Sequence, residues 1–146
     1  MITCQIEKPD YEELMSYMRY QIDDAFPHLR GEERTISFTN KLYAHAYFCF
    51  CRDNGKLIGM IAYYANGEGA NFAYLAQVYV SPNYRRMGSC SRMIDLVALD
   101  AGNKGFNEMR LEVHKNDAEA QRCYLNNGFL AMDIVKPDTL FMNKRI

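Results

Sequence analysis

Several common signals are missing from this chain of 146 residues, and each absence removes a class of function. The opening M-I-T-C-Q-I-E-K-P-D has no long apolar run and soon turns acidic, so no secretory leader is expected. No apolar stretch approaches the roughly 20 residues that a spanning helix needs, which argues against a membrane protein. Neither charge dominates: 17 Lys and Arg stand against 18 Asp and Glu, for a formal net charge of -1. Nothing global therefore draws the chain to nucleic acid or to an anionic membrane, and any anion site has to be local. The five cysteines, Cys4, Cys49, Cys51, Cys90 and Cys123, form an odd set without C-x-x-C spacing. With no export signal, the expectation is reduced thiols and a cytoplasmic protein. Cys49 and Cys51 would share one face of a strand, but no further His or Cys stands at zinc spacing, so no metal site is read. Internal repeats, linkers and low-complexity segments are also lacking, which points to one domain over residues 1–146.

What is present reads as alternating strands and helices. Ile2 to Ile6 alternates as a first strand. Asp10 is a candidate N-cap for a helix carrying Leu14, Met15, Met18 and Ile22 on one stripe, and Phe26-Pro27 ends that run. A second helix is expected from Glu32 to Ala46, weakened by Thr35, Ser37 and Thr39. Its tyrosines and His45 either face a substrate or cap the core. Strands follow at Tyr47–Arg52 and Lys56–Ala65, joined by the hairpin signal Asp53-Asn54-Gly55. Gly67 and Gly69 mark a loop, and Phe72–Val80 is the next strand. A helix to about Lys104, a strand at Met109–His114, a helix from about Asp117 to Asn127 and a hairpin around Lys136-Pro137-Asp138 complete the chain. The order predicts an α/β fold: a single mixed, mainly antiparallel twisted sheet flanked by helices.

The chemistry concentrates in V-Y-V-S-P-N-Y-R-R-M-G-S-C-S-R-M-I, from Val78 to Ile94. Val78, Tyr79 and Val80 are strand residues, and Pro82 ends the ladder. From Cys90 the apolar period becomes helical through Met93, Ile94, Val97 and Ala101. Between them, Arg85 and Arg86 bring positive charge to a helix N-terminus, Gly88 bares the backbone, and Ser89 and Ser91 add hydroxyls. Such a turn suits an anion, most naturally a diphosphate; an ordinary turn with a solvated arginine pair is the other reading. The loop lacks the Lys-Ser or Lys-Thr of a P-loop and the three glycines of a dinucleotide fold.

This stretch resembles the acyl-CoA loop of the GNAT superfamily of N-acetyltransferases, whose pattern is Arg or Gln, two residues, Gly, one residue, then Gly or Ala. Arg85 and Gly88 match, and Cys90 stands in the last place. A second stretch, L-E-V-H-K-N-D-A-E-A-Q-R-C-Y-L-N-N-G-F, is similar to the family's strand ending in Val, followed by Asn, Ala, a helix with Tyr, and Gly-Phe. Val113, Ala120, Tyr124, Gly128 and Phe129 keep those positions; the Asn place falls on Asp117, with Asn116 one residue early. The resemblance implies a GNAT-like fold and acetyl-CoA as co-substrate. It implies direct transfer of the acetyl group to a primary amine of a small molecule or peptide, with no nucleic acid or membrane partner and with homodimers common among relatives. By that resemblance Val78, Tyr79, Val80, Arg85, Arg86, Met87, Gly88, Ser89, Cys90, Ser91 and either Asn116 or Asp117 bind the cofactor. Val78 offers an amide to the thioester carbonyl, the strand ending at Val80 splays from the Leu111–Val113 strand, and Tyr124 is the acid for the leaving thiolate. No general base is evident; Glu68, Glu112 and His114 are candidates. A module that binds acyl-CoA without turnover is the alternative.

Overall fold

The computed structural model describes residues 1–67 and 71–146. Asp10 caps α1 (Tyr11–Ala25), its Oδ2 accepting the Glu13 N–H at 2.9 Å. The stripe on α1 is buried: Leu14, Met18 and Ile22 pack with Phe48, Phe50 and Met60 on one face of the sheet. A single 3₁₀ turn at Pro27–Leu29 separates α1 from α2 (Glu32–His45), because Pro27 cannot continue the helix. The threonines that weakened α2 on propensity, Thr35 and Thr39, are buried with Leu42, while Tyr43 and His45 face solvent.

The strands are β1 (Ile2–Ile6), β2 (Tyr47–Asp53), β3 (Lys56–Tyr64), β4 (Phe72–Val80), β5 (Glu108–His114), β6 (Leu130–Val135) and β7 (Thr139–Arg145). They form one sheet in the order β1-β2-β3-β4-β5-β7-β6. Every pairing is antiparallel except β4–β5. Helices α3 (Ser89–Asn103) and α4 (Ala118–Asn126) lie on the face opposite α1 and α2, where Met93, Ile94, Val97 and Tyr124 pack with Leu75, Leu111 and Met142. The mixed, mainly antiparallel α/β sheet read from the sequence is the observed one. Among the described residues, no helix is long and apolar enough to cross a membrane.

One expectation needs correction. Cys4 and Cys51 are joined in a disulfide rather than standing as reduced thiols. They lie directly opposite each other in the β1–β2 ladder, with Cα atoms 4.1 Å apart. Their separation of 47 residues concealed this, because only the strand register brings them together. Cys49, Cys90 and Cys123 are free.

The feature that positions the site is a fork. β4 pairs with β5 from Phe72↔Glu108 only to Leu75↔Leu111. Beyond that point β4 stays with β3 as far as Gly59↔Val80, and β5 stays with β7 as far as His114↔Thr139. The fork opens where the β3–β4 register shifts, leaving Ala76 as an extra residue on β4. Such a bulge bends the strand that carries it.

Candidate active site

The open edge of β4 follows from the ladder. The Ser81 N–H donates to Ile58 O at 2.8 Å, so the Ser81 main chain turns toward β3 at Ile58. In an antiparallel ladder bonded and non-bonded pairs alternate, so Tyr79 and Gln77 also bond to β3. Val78 and Val80 therefore turn their main-chain groups away from β3 and into the fork. The Val80 carbonyl is engaged there, accepting from Arg85 Nε at 2.9 Å. The Val78 N–H and C=O remain for an added strand.

After β4 the chain makes a 3₁₀ turn at Pro82–Tyr84 and reaches α3 through two left-handed residues, Arg86 at φ 63° and Gly88 at φ 84°. A non-glycine residue in that region is uncommon and marks a turn held by its surroundings. The first intrahelical bond of α3 runs from the Arg92 N–H to Gly88 O, which leaves the amides of Ser89, Cys90 and Ser91 without helical partners. The Ser89 hydroxyl is buried, 2 % exposed, and has no hydrogen-bond partner.

The two arginines differ. Both are exposed, but Arg85 is held: besides Val80 O, its Nη2 lies 3.0 Å from Asp24 Oδ2, and its guanidinium lies over the Tyr79 ring at 5.5 Å. The Tyr79 hydroxyl donates to the same Asp24 oxygen at 2.7 Å. Arg85 thus fastens the turn to the end of α1, and Arg86 beside it is exposed as well.

Fork, turn and α4 enclose a cleft of about 640 Å³. Its wall includes Val78, Tyr79, Val80, Arg85, Arg86, Gly88, Ser89, Cys90, Ser91, Asp117 and Tyr124 from the expected set. Met87 and Asn116 are not on the wall; Met87 is 57 % exposed. Asp117 rather than Asn116 faces the cleft, and it also caps α4, its Oδ1 accepting the Ala120 N–H at 3.0 Å. Tyr124 projects from α4 against Phe129, ring centroids 5.8 Å apart. Burial, and then the neighbouring Cys90 and Cys123 sulfurs, push the Tyr124 phenol well above its ordinary range, so it keeps its proton at neutral pH. A smaller cavity of about 390 Å³ between α1 and the ends of β3 and β4 shares none of the expected residues.

Two of the candidate bases, Glu112 and His114, have other partners. Glu112, one residue past the last β4–β5 pair, accepts from the Tyr74 hydroxyl and pairs with Lys136 at 3.3 Å. The His114 Nδ1 accepts the Asn116 N–H at 3.1 Å. Glu68 and Gly69 lie outside the described residues. Reading the sequence missed Ala25 and Phe26 at the end of α1 and Cys123 on α4, all on the wall. Only the proximity of Cys123 to Tyr124 in the chain could have signalled it.

Solved structures share this architecture. The PaiA N-acetyltransferase of Thermoplasma acidophilum, crystallised with coenzyme A, superposes with a TM-score of 0.76 at 22% identity, covering 99% of both chains. A GNAT-family acetyltransferase of Streptococcus pneumoniae gives 0.78 at 18%, over 100% of both. One from Elizabethkingia anophelis with acetyl-CoA bound gives 0.72 at 14%, over 99% of this chain and 98% of that one. At these identities the likeness is one of fold. In sequence, 76 residues are 32% identical to GCN5-related N-acetyltransferase 6, chloroplastic, of Arabidopsis thaliana. That match takes in 51% of this chain and 26% of the relative, so the chain spans about a quarter of that protein's length. The model of the acetyltransferase (GNAT) family matches residues 6–129, and the chain belongs to that family.

Proposed function

We propose that the protein is an acetyl-CoA-dependent N-acetyltransferase that moves an acetyl group directly to a primary amine of a small molecule or peptide. One observation carries this reading: the free edge of β4 at Val78 and the unpartnered amides of α3 open into the same cleft. A linear thioester with a diphosphate at one end matches that pairing of features. Its amide-bearing arm adds to β4 as a strand, and its diphosphate meets the α3 N-terminus beside the exposed Arg86. Family membership and the coenzyme A and acetyl-CoA bound to proteins of the same fold support the choice of thioester.

In this reading the neutral amine attacks the thioester carbonyl. Negative charge develops on the carbonyl oxygen and is met by the Val78 amide. The tetrahedral intermediate collapses, the C–S bond breaks, and Tyr124 gives its proton to the departing thiolate; the nitrogen loses one proton to solvent, and solvent returns one to the Tyr124 phenolate. The test is steady release of coenzyme A thiol with a panel of polyamines, amino sugars and peptides. Tight calorimetric binding of acetyl-CoA with no release for any amine would instead favour a binding module without turnover. Absence of binding would remove both readings.

A further inference from the structure

The smaller cavity, of about 390 Å³, takes no part in acetyl transfer, and Tyr84 is the one residue common to its wall and that of the cleft. It sits where the β3–β4 ladder ends. Ser81 lies beside Ile58 there, Leu57 and Lys56 extend β3 past it, and Tyr17 of α1 packs with Leu57. Two hydroxyls meet on the wall: Tyr17 Oη and Ser81 Oγ are 2.8 Å apart, and each side chain is only 8 % exposed. Burial pushes the Tyr17 phenol well above its ordinary range, so both hydroxyls keep their protons at neutral pH. The bond between them uses one of those two protons. The second has no acceptor among the described residues, although buried donors are ordinarily paired. The charges on the wall leave a matching gap. The Glu13 carboxylate is engaged by Arg52, at 2.8 Å to each oxygen. Lys56 stands opposite Asp53 in the β2–β3 hairpin, but Asp53 accepts from the Tyr84 hydroxyl at 2.8 Å. The Lys56 ammonium makes no ion pair with any described residue. Much of the remaining wall is ring surface: Tyr20, half exposed, stacks on Tyr17 with planes 8° apart, and Tyr84 adds a third ring.

We propose that this cavity is a second ligand site, separate from the cofactor cleft, for a small aromatic carboxylate. The carboxylate accepts the spare proton of the Tyr17–Ser81 pair and meets the Lys56 ammonium, and the ring lies against Tyr20 and Leu57. Two oxygens on one carbon serve both unmet donors at once, which a neutral carbonyl does not. One unpaired ammonium matches one negative charge, which favours a carboxylate over a phosphate. A cationic amine is disfavoured, because Glu13 is the only acidic side chain on the wall and Arg52 already holds it. A volume near the lower end of small-molecule sites suits a single ring with a short arm. None of this depends on how the cofactor cleft is read.

The experiment titrates the whole nitrogen-15-labelled chain with phenylacetate, acetate and 2-phenylethylamine, following the amide signals by two-dimensional NMR. Phenylacetate should give saturable shifts centred on residues 13–20, 56–58 and 81–84, with half-saturation below about 5 mM. Acetate, which lacks the ring, should bind at least about tenfold more weakly. So should 2-phenylethylamine, whose charge has the wrong sign, again by about tenfold or more. Lys56→Ala and Ser81→Ala should each weaken phenylacetate at least about fivefold. Lys56 is exposed, so its variant should keep the parent Tm and report on binding alone. Tyr17→Phe, which keeps the ring and removes the hydroxyl, should match Ser81→Ala. Absence of saturable shifts at those amides up to about 20 mM phenylacetate overturns the site. Shifts confined to Val78, Cys90 and Tyr124 also overturn it, because they would put the acid in the cofactor cleft. Equal affinity for 2-phenylethylamine, or Lys56 and Ser81 variants that bind as well as the parent, overturns the carboxylate class.

Discussion

The two edges of β4 have opposite fates, although they belong to the same nine residues. Toward β3 the strand is paired up to Val80, and the Ser81 N–H extends the contact by one more bond. Toward β5 it is paired for four residues and then abandoned. Because main-chain groups alternate along a strand, the closed edge uses Gln77, Tyr79 and Ser81, and the open edge is left with Val78 and Val80. One strand can thus be a rigid part of the sheet and an unfinished docking edge at once. Side chains show the same division: Gln77 and Tyr79 reach Gln21 and Asp24 of α1, while Val78 and Val80 pack toward α3 and α4.

Substituting proline gives the sharpest way to break this comparison. Val78→Pro removes an N–H from the open edge only, whereas Tyr79→Pro removes one from the β3 ladder. The first should lower turnover by about 100-fold or more while keeping a cooperative thermal transition. The second should lose the transition. If the two melt alike, the edges are not separable. Next in size is Tyr124→Phe, expected to reduce kcat about 100-fold with acetyl-CoA affinity within about twofold, as read by steady-state kinetics and calorimetry. Gly88→Ala should follow. A Cβ there meets nothing within 4 Å, but φ is +84°, so any loss comes from the backbone. The expected cost is about 1 kcal/mol, seen as a lower Tm and a several-fold weaker grip on coenzyme A. The smallest effect belongs to Arg86→Ala: about fivefold weaker binding, shrinking as salt rises, since the side chain is exposed. Arg85→Ala should weaken binding with little salt dependence, because its partners are Asp24, Val80 and Tyr79.

Local pattern made most elements legible. Alternation located β1, the Asn54-Gly55 signal located the β2–β3 hairpin, the strand chemistry of Val78, Tyr79 and Val80 located the end of β4, and the change of period from Cys90 located α3. What stayed hidden depends on distant parts of the chain. Nothing near Thr139 says that β7, rather than β6, pairs with β5. The bulge at Ala76 exists only relative to β3, and the Cys4–Cys51 bond only in the β1–β2 register. At the site, the basic turn was readable but its internal wiring was not, because Asp24 lies 61 residues before Arg85. The choice between Asn116 and Asp117 was open to a count of residues. The capping role of Asp117 was legible, since an aspartate just ahead of a helix accepts a free amide, as Asp117 does.

The Cys4–Cys51 stitch also determines how the molecule would yield under load. Pulled from its two ends, the chain would surrender only the residues ahead of Cys4 before tension passed through sulfur to Cys51. The residues between them, 5–50, which include α1 and α2, would be shielded from the force. Some 160 Å of extension would be missing from a stretching trace at about 3.4 Å per residue, to be released only when a reductant is added.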